Sequence, residues 1–411
     1  MAHVVVMVTT SFPRFPGDSV GTFMEPIAAA MAERGHEVHV VAPWHPRVRR
    51  AAEEQGIRFH FYRYAPIAAL NVFGYAESMH ADVRVRGTGY LVAPFALAQG
   101  WRAARAVARK HRATMMHGHW VVPGGITAAL AAPELPLVIS LHGSDVFVAE
   151  KLAVARTAAR AAFRRAGAIT ACSEDLARRA VAIGADPAQV EVVPYGVDPD
   201  RFKPNDDARH SIRSTIGLDD DRLLVFAAGR LVRKKGFEYL VEAMASLPQE
   251  IPVVLAIGGA GDLEGELNDR ASRADPGRIR ILGNLTQDQV AQHLAAADIV
   301  VVPSVRDEAG NVDGLPNVVL EALASGTPLV TTAAGGIGAV VAHDLTALVV
   351  PERDPSAIVD AIVALARDPA RRAAIGARAR RMIRDRFGWS RTADRLDAAY
   401  DRALALKSRG R

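Results

Sequence analysis

"FAAGRLVRKKGFEYL", residues Phe226–Leu240, passes from strand to loop to helix. An apolar run ends at Gly229, Arg230 sits at its carboxyl end, and a helical pattern opens after Gly236. Strand, polar loop and helix in succession are the unit of α/β architecture with parallel sheets. Working outward, the same alternation recurs along the chain. In the first half the candidate strands are Val4–Val8, Val38–Ala42, Ile57–Tyr62, Met115–His117, Leu137–Ser140, Ala168–Thr170 and Val190–Val193. A second series runs from Leu223–Ala227 through Val253–Ile257, Ile279–Leu282, Ile299–Val302, Leu329–Thr331 and Leu348–Val350. Between them, "GVDPDRFKPNDDARHS" is rich in Pro, Asp and Gly and reads as a linker, with a boundary near Asp198–Asp207. The expected organisation is a domain at 1–200, a second at 201–388, and a closing segment at 389–411. Its amphipathic helix, Ser390–Lys407, either caps the second domain or crosses back to the first.

The size fits two domains, since 411 residues exceed the usual single core and half of them are hydrophobic. No apolar run is long enough to span a bilayer. "MAHVVVMVTT" lacks the basic leader of a secretory signal. Cys172 is the only cysteine, which excludes an internal disulfide framework and a thiolate metal site. A reducing, cytoplasmic setting is the expectation. Net charge is +5 and the pI about 9.5, mostly from arginine. This reads as solvated helix faces, or as attraction to anionic ligands or an anionic bilayer surface. No basic tail or aromatic-interleaved patch points to nucleic acid.

Asp313–Gly326, "DGLPNVVLEALASG", reads as a tight loop followed by a mostly apolar helix. Pro316 suits the first helical position, where its missing N–H is not needed. First-turn amides are unpaired and carry the positive end of the macrodipole, so Gly314 and Leu315, with Asn317 and Val318, frame an anion site. Glu321 lies about 7–8 Å further along the axis, and Asp313 lies on the other side of the helix mouth. A diol, a diphosphate and a second diol fit that order, which is the layout of a nucleotide-diphosphate sugar.

Other segments fit the same ligand. Arg230 and Lys235 can reach a diphosphate, one as a fork and one as a point charge. They also read as surface cations beside a turn. The first βα loop, "TTSFPRFPGDSVGTFMEP", is longer than ordinary connections, and Gly21 just before the helix lets backbone approach a ligand. There is no G-x-G-x-x-G, which disfavours a nicotinamide site. "ISLHGSDVF" sets His142 at a strand end, followed by Asp145; "HGHWVVPGG" does the same for His119 and Trp120. These are candidates for acceptor or sugar contact, Trp120 reading equally as core. Asn284 and Leu285 follow another strand, where they can meet a nucleobase, and Thr286 reads as a helix N-cap. The histidines lack metalloprotease spacing, and no cluster in the sequence points to zinc.

The order and spacing of these segments resemble the retaining nucleotide-sugar glycosyltransferases of family 4. The carrying elements are the loop to Gly21, "ERGHEVHVV" at Glu33–Val41, "HGSD" at His142–Asp145, "VPYGVDPDRF" at Val193–Phe202, "GRLVRKKG" at Gly229–Gly236, and the acidic stretch ending at Glu321. The resemblance implies a GT-B fold, two facing Rossmann-like domains with a cleft that closes over the donor. It implies that Glu321 holds the ribose hydroxyls and Asp313 the sugar hydroxyls. Here aspartate replaces the usual glutamate, one methylene shorter. It further implies that Arg230 and Lys235 bind the diphosphate, that Gly21 donates its amide to the phosphates, and that His142 faces the donor near the anomeric centre. His142, Arg230, Lys235 and Asp313 are thus the expected catalytic residues. No cofactor or metal is implied beyond the co-substrate, a UDP- or GDP-sugar. The acceptor is expected to be a glycan or a lipid-linked hydroxyl, with "PWHPRVRR" at Pro43–Arg50 as a candidate membrane contact. An epimerase of the same architecture, or a non-catalytic nucleotide-sugar-binding protein, are the alternatives.

Overall fold

The computed structural model describes residues 2–71, 74–75, 79–80, 84–85, 87–219, 221–274 and 277–409. The chain divides into two compact units, Met1–Tyr195 together with Trp389–Arg411, and Gly196–Gly388.

In the first unit, an eight-stranded sheet runs in the spatial order Val190–Val192, Ala168–Ala171, Leu137–Leu141, Met115–His119, Val4–Val8, Glu37–Pro43, Ile57–Tyr62 and Glu53–Glu54. All neighbours are parallel except the short Glu53–Glu54 edge. The strands are continuous apolar runs because helices cover both faces; Val5, Val6 and Met7 are fully buried. The helix Met24–Glu33 follows the first strand, and Gly35 lies just past its end in the left-handed region.

The second unit has a six-stranded parallel sheet in the order Ile279–Gly283, Val253–Gly258, Leu223–Ala228, Ile299–Val302, Leu329–Thr331 and Leu348–Val349. In both sheets the chain starts at the middle, winds to one edge, then returns to wind the other way. The order reverses beside Val4–Val8 in the first unit and beside Leu223–Ala228 in the second. Ligands of open α/β sheets gather at such reversal points, outside the carboxyl ends of the strands.

The structure corrects one detail of the sequence reading and decides between two alternatives in another. The helix Asp206–Thr215 occupies the end of the expected linker. Asn205 caps it by accepting from the Ala208 N–H, and Asp206 and Asp207 favour its N-terminus. The acidic, polar run was therefore a helix start. The closing helix, Trp389–Arg409, is a member of the first unit. Its Tyr400 is fully buried, with its hydroxyl 2.9 Å from His117 Nδ1. Its Asp397 meets Arg34 at 2.9 Å and His36 at 2.7 Å. Gly167 is needed beneath it, since a Cβ there would lie 2.5 Å from Ala403 Cα.

Candidate active site

At the reversal point of the second unit, the loop after Leu223–Ala228 makes a single turn, Arg233–Lys235. Its two lysines converge on Asp313, from the loop after Ile299–Val302. Lys234 Nζ lies 3.0 Å from Oδ1 and Lys235 Nζ 2.6 Å from Oδ2. The Lys235 contact is a short ion pair. All three side chains are largely buried. Burial pushes the Asp313 carboxyl up, but the two ammonium groups outweigh it and hold the group well below the usual carboxylate range. Asp313 is therefore a fixed anion. Gly335, at φ +60, clamps its backbone; a Cβ there would lie 1.9 Å from the Asp313 carbonyl oxygen.

The helix Asn317–Ser325 starts beside this cluster. Pro316 is its N-cap rather than its first helical residue, because its extended ψ of 125 keeps it out of the helix. No side chain caps the helix start. Glu321, on the second turn, is 7% exposed. Burial raises its pKa to about 7, only partly offset by Arg201 and Lys235. Leu315 and Val318 are buried, while Gly314 and Asn317 are half-buried. Arg230 is exposed at the end of its strand. Asn284 is exposed and Leu285 half-buried. Thr286 caps the next helix as expected, in a reciprocal box with Gln289. The second unit thus gathers Lys235, Asp313 and Glu321 in one place. It adds Lys234, whose position beside Lys235 in the sequence was the available signal.

The reversal point of the first unit is different in kind. Gly21, at φ +64, lies in the long loop. That loop is pinned by Asp18, which accepts from Arg14 Nε at 2.7 Å and from the Arg14 main chain at 2.9 Å. His117, His119 and His142 lie side by side. His119 Nδ1 is 3.1 Å from His142 Nε2, and His142 Nδ1 is 2.7 Å from the Tyr195 hydroxyl. His117 bridges Tyr400 and Ser140. Burial is the leading reason that His117 and His142 fall to about pKa 3 and that His119 is also held well below 6.5. The rings are neutral at physiological pH. Phe23 stacks on Tyr195, with centroids 4.6 Å apart, and leans on His142 and Trp120. Half-buried Trp120 has φ +62, a costly conformation for a bulky residue.

Three sequence expectations change here. Both ring nitrogens of His142 are already engaged, so a sugar hydroxyl has to compete with Tyr195 or His119. Asp145, expected to touch sugar or acceptor, is 2% exposed. Its carboxylate accepts from the main-chain N–H groups of Val121, His142 and Gly143 at 2.8, 3.3 and 2.9 Å. It shapes the loop rather than contacting a ligand. In the basic segment Pro43–Arg50, Arg50 is buried by pairing with Glu25 at 2.6 Å and Glu54 at 2.7 Å, which takes it from any anionic surface. Phe23 and Tyr195 were not legible as neighbours of His142, nor Tyr400 as the partner of His117, because the fold alone brings such distant segments together.

The geometry is that of a doubly wound α/β protein with an ionic corner, two carboxylates and two lysines, at the switch point of one sheet and a network of neutral imidazoles at that of the other. The family comparisons agree. Residues 20–201 match the model of Glycosyltransferase Family 4, and residues 208–382 match that of Glycosyl transferases group 1. The chain is 29% identical to a D-inositol 3-phosphate glycosyltransferase of Xylanimonas cellulosilytica, over 94% of this chain and 93% of that one. It is 35% identical to a GDP-mannose-dependent alpha-(1-6)-phosphatidylinositol monomannoside mannosyltransferase of Mycolicibacterium smegmatis, over 63% of this chain and 68% of the relative. Among solved structures, Anabaena Alr3699/HepE in complex with UDP and glucose superposes with a TM-score of 0.75 at 19% identity, over 97% of this chain and 99% of that one. The chain belongs to glycosyltransferase family 4, with the GT-B fold, and acts as a glycosyltransferase on nucleotide-sugar donors. Among the described residues no helix is long and apolar enough to cross a membrane.

Proposed function

We propose that the protein transfers a sugar from a UDP- or GDP-sugar to an acceptor hydroxyl with retention of anomeric configuration, and without a metal ion. The observation that carries this reading is the Lys234–Asp313–Lys235 cluster beside the start of the helix bearing Glu321. The sugar's C1–O bond to the diphosphate breaks, leaving positive charge on the sugar and added negative charge on the phosphate. Lys235, Arg230 and the first-turn amides supply fixed positive charge to that oxygen, the role a divalent ion would otherwise fill. Asp313, held ionised between the two lysines, is the acceptor for the sugar hydroxyls. Glu321 accepts from the ribose diol. The departing phosphate oxygen takes the acceptor's proton, so no strong general base is required. His142, a neutral ring, positions a hydroxyl rather than transferring charge.

The acceptor is a glycan or a lipid-linked hydroxyl, phosphorylated inositols being the first to try in view of the relatives' names. A cytoplasmic protein that reaches such acceptors at the membrane face fits the chain. To test this, the purified protein is incubated with UDP- and GDP-sugars, with and without D-inositol 3-phosphate, in excess chelator. Acceptor-dependent nucleotide release and a product with the donor's anomeric configuration by NMR are expected. Inversion, or activity that only magnesium restores, overturns the reading.

A further inference from the structure

A second cluster of titratable groups lies away from the residues assigned to transfer, on the sheet face beneath the helix Gly87–Lys110 of the first unit. Glu37, His39 and Val41 alternate onto one face of the strand Glu37–Pro43. Arg58 and His60 fall on the same face of Ile57–Tyr62, with His39 opposite Arg58 and Val41 opposite His60. His111 follows the end of the helix. One ring nitrogen of each of His39, His60 and His111 lies within 4.8 Å of the others. His39 is fully buried, while His60 and His111 are half-buried, which leaves an approach from solvent.

The hydrogen bonds fix how the rings point. His39 Nε2 is 3.0 Å from a carboxylate oxygen of Glu37. A carboxylate only accepts, so the proton sits on Nε2 and the Nδ1 lone pair faces inward. Nδ1 meets His60 Nε2 at 2.9 Å. His111 Nε2 is buried with no hydrogen-bond partner. Burial, then mutual repulsion, lowers the pKa of His60 to about 4, and burial leads in lowering that of His39. Imidazoles grouped around one point, one of them backed by a carboxylate, are a nitrogen donor set with its outer support in place. Arg58 and Lys110 oppose a cation here, although Arg58 is itself paired with Glu37 and Glu53.

We propose that His39, His60 and His111 bind one late first-row divalent cation, zinc being the natural probe, and thereby clip the sheet edge to the end of the long helix. Metal–nitrogen bonds of about 2.0–2.1 Å set tetrahedral nitrogens about 3.3 Å apart, so the rings close in by small rotations. His60 moves its proton to Nδ1 when Nε2 becomes a ligand. The fourth position is left to water.

The test uses the full-length protein, stripped with chelator and titrated with zinc against a competing indicator, and separately with cobalt(II). One equivalent should bind and raise the Tm. Cobalt should give the intense visible bands of a low-coordinate nitrogen site. His60→Gln and His111→Gln should each weaken binding at least tenfold, and Glu37→Gln roughly tenfold. If a variant is poorly folded, the cobalt spectrum of the unaltered chain decides alone. No stoichiometric binding, pale six-coordinate cobalt bands, or undiminished binding in well-folded variants overturns the site.

Discussion

The two reversal points share one topology and carry opposite electrostatics. In the second unit the corner is ionic, with a carboxylate locked between two lysines and another, Glu321, buried with its charge suppressed. In the first unit the equivalent corner holds neutral imidazoles joined by hydrogen bonds to Tyr195, Tyr400 and each other. The same strand order therefore does not dictate the ligand. Charge at the strand ends does, and the two corners are suited to a diphosphate and to uncharged hydroxyls respectively.

Acid should separate the corners most strongly. The unfolded chain protonates its histidines near pH 6.5, whereas folded His117 and His142 wait until about 3. Their stabilisation is complete above 6.5 and is lost as pH falls towards 3, about 2 kcal/mol per ring at pH 5. His39, His60 and His119 act in the same direction; Asp145, with its raised pKa, acts against them. Glu321 has the reverse sign, since its contribution is present at acid pH and is lost as pH rises from the unfolded value through about 7. Amide exchange at pH 7 and 5 should show protection falling in the first sheet and holding or rising around Asn317–Ser325. Equal losses in both would erase the contrast.

Mutation of the ionic corner comes next. Lys235→Ala should lower donor-dependent turnover by about 100-fold with the fold intact by circular dichroism, the usual loss for one donor to a developing oxyanion. Asp313→Asn should cost about 3 kcal/mol in urea unfolding, because two largely buried ammonium groups lose the carboxylate charge between them. A neutral result in either would show that the cluster is incidental. For Glu321 the affinity for UDP or GDP should rise about tenfold from pH 6 to 8, as the carboxylate that accepts the ribose hydroxyls forms. Glu321→Gln should flatten that slope, as calorimetry can check. The smallest effect belongs to the neutral corner. Tyr195→Phe removes one partner of His142 and should slow transfer by about three- to tenfold, seen in kcat with little change in donor KM.

Much of this was legible in the chain. Val4–Val8, Ile57–Tyr62, Ile299–Val302 and Leu329–Thr331 appear with the bounds their apolar runs announce. That Asp313, Glu321 and Lys235 lie together could be anticipated because a helix start and nearby charges are local features. The Glu53–Glu54 edge was not legible, since two charged residues carry no strand pattern. Asp145 was misread because its neighbours in sequence look like a ligand loop, while its burial depends on Val121, brought from elsewhere.

The sequence determined the α/β class, the two series of strands and the acidic helix, because alternation of apolar and polar residues and the residues at turns act over short range. Only the tertiary structure decided that Trp389–Arg409 belongs to the first unit, that Tyr195 holds His142, and that His39, His60 and His111 share one pocket of space. Those outcomes follow from strand register and helix packing across more than twenty residues, where side chains meet through the backbone path and no local pattern records it.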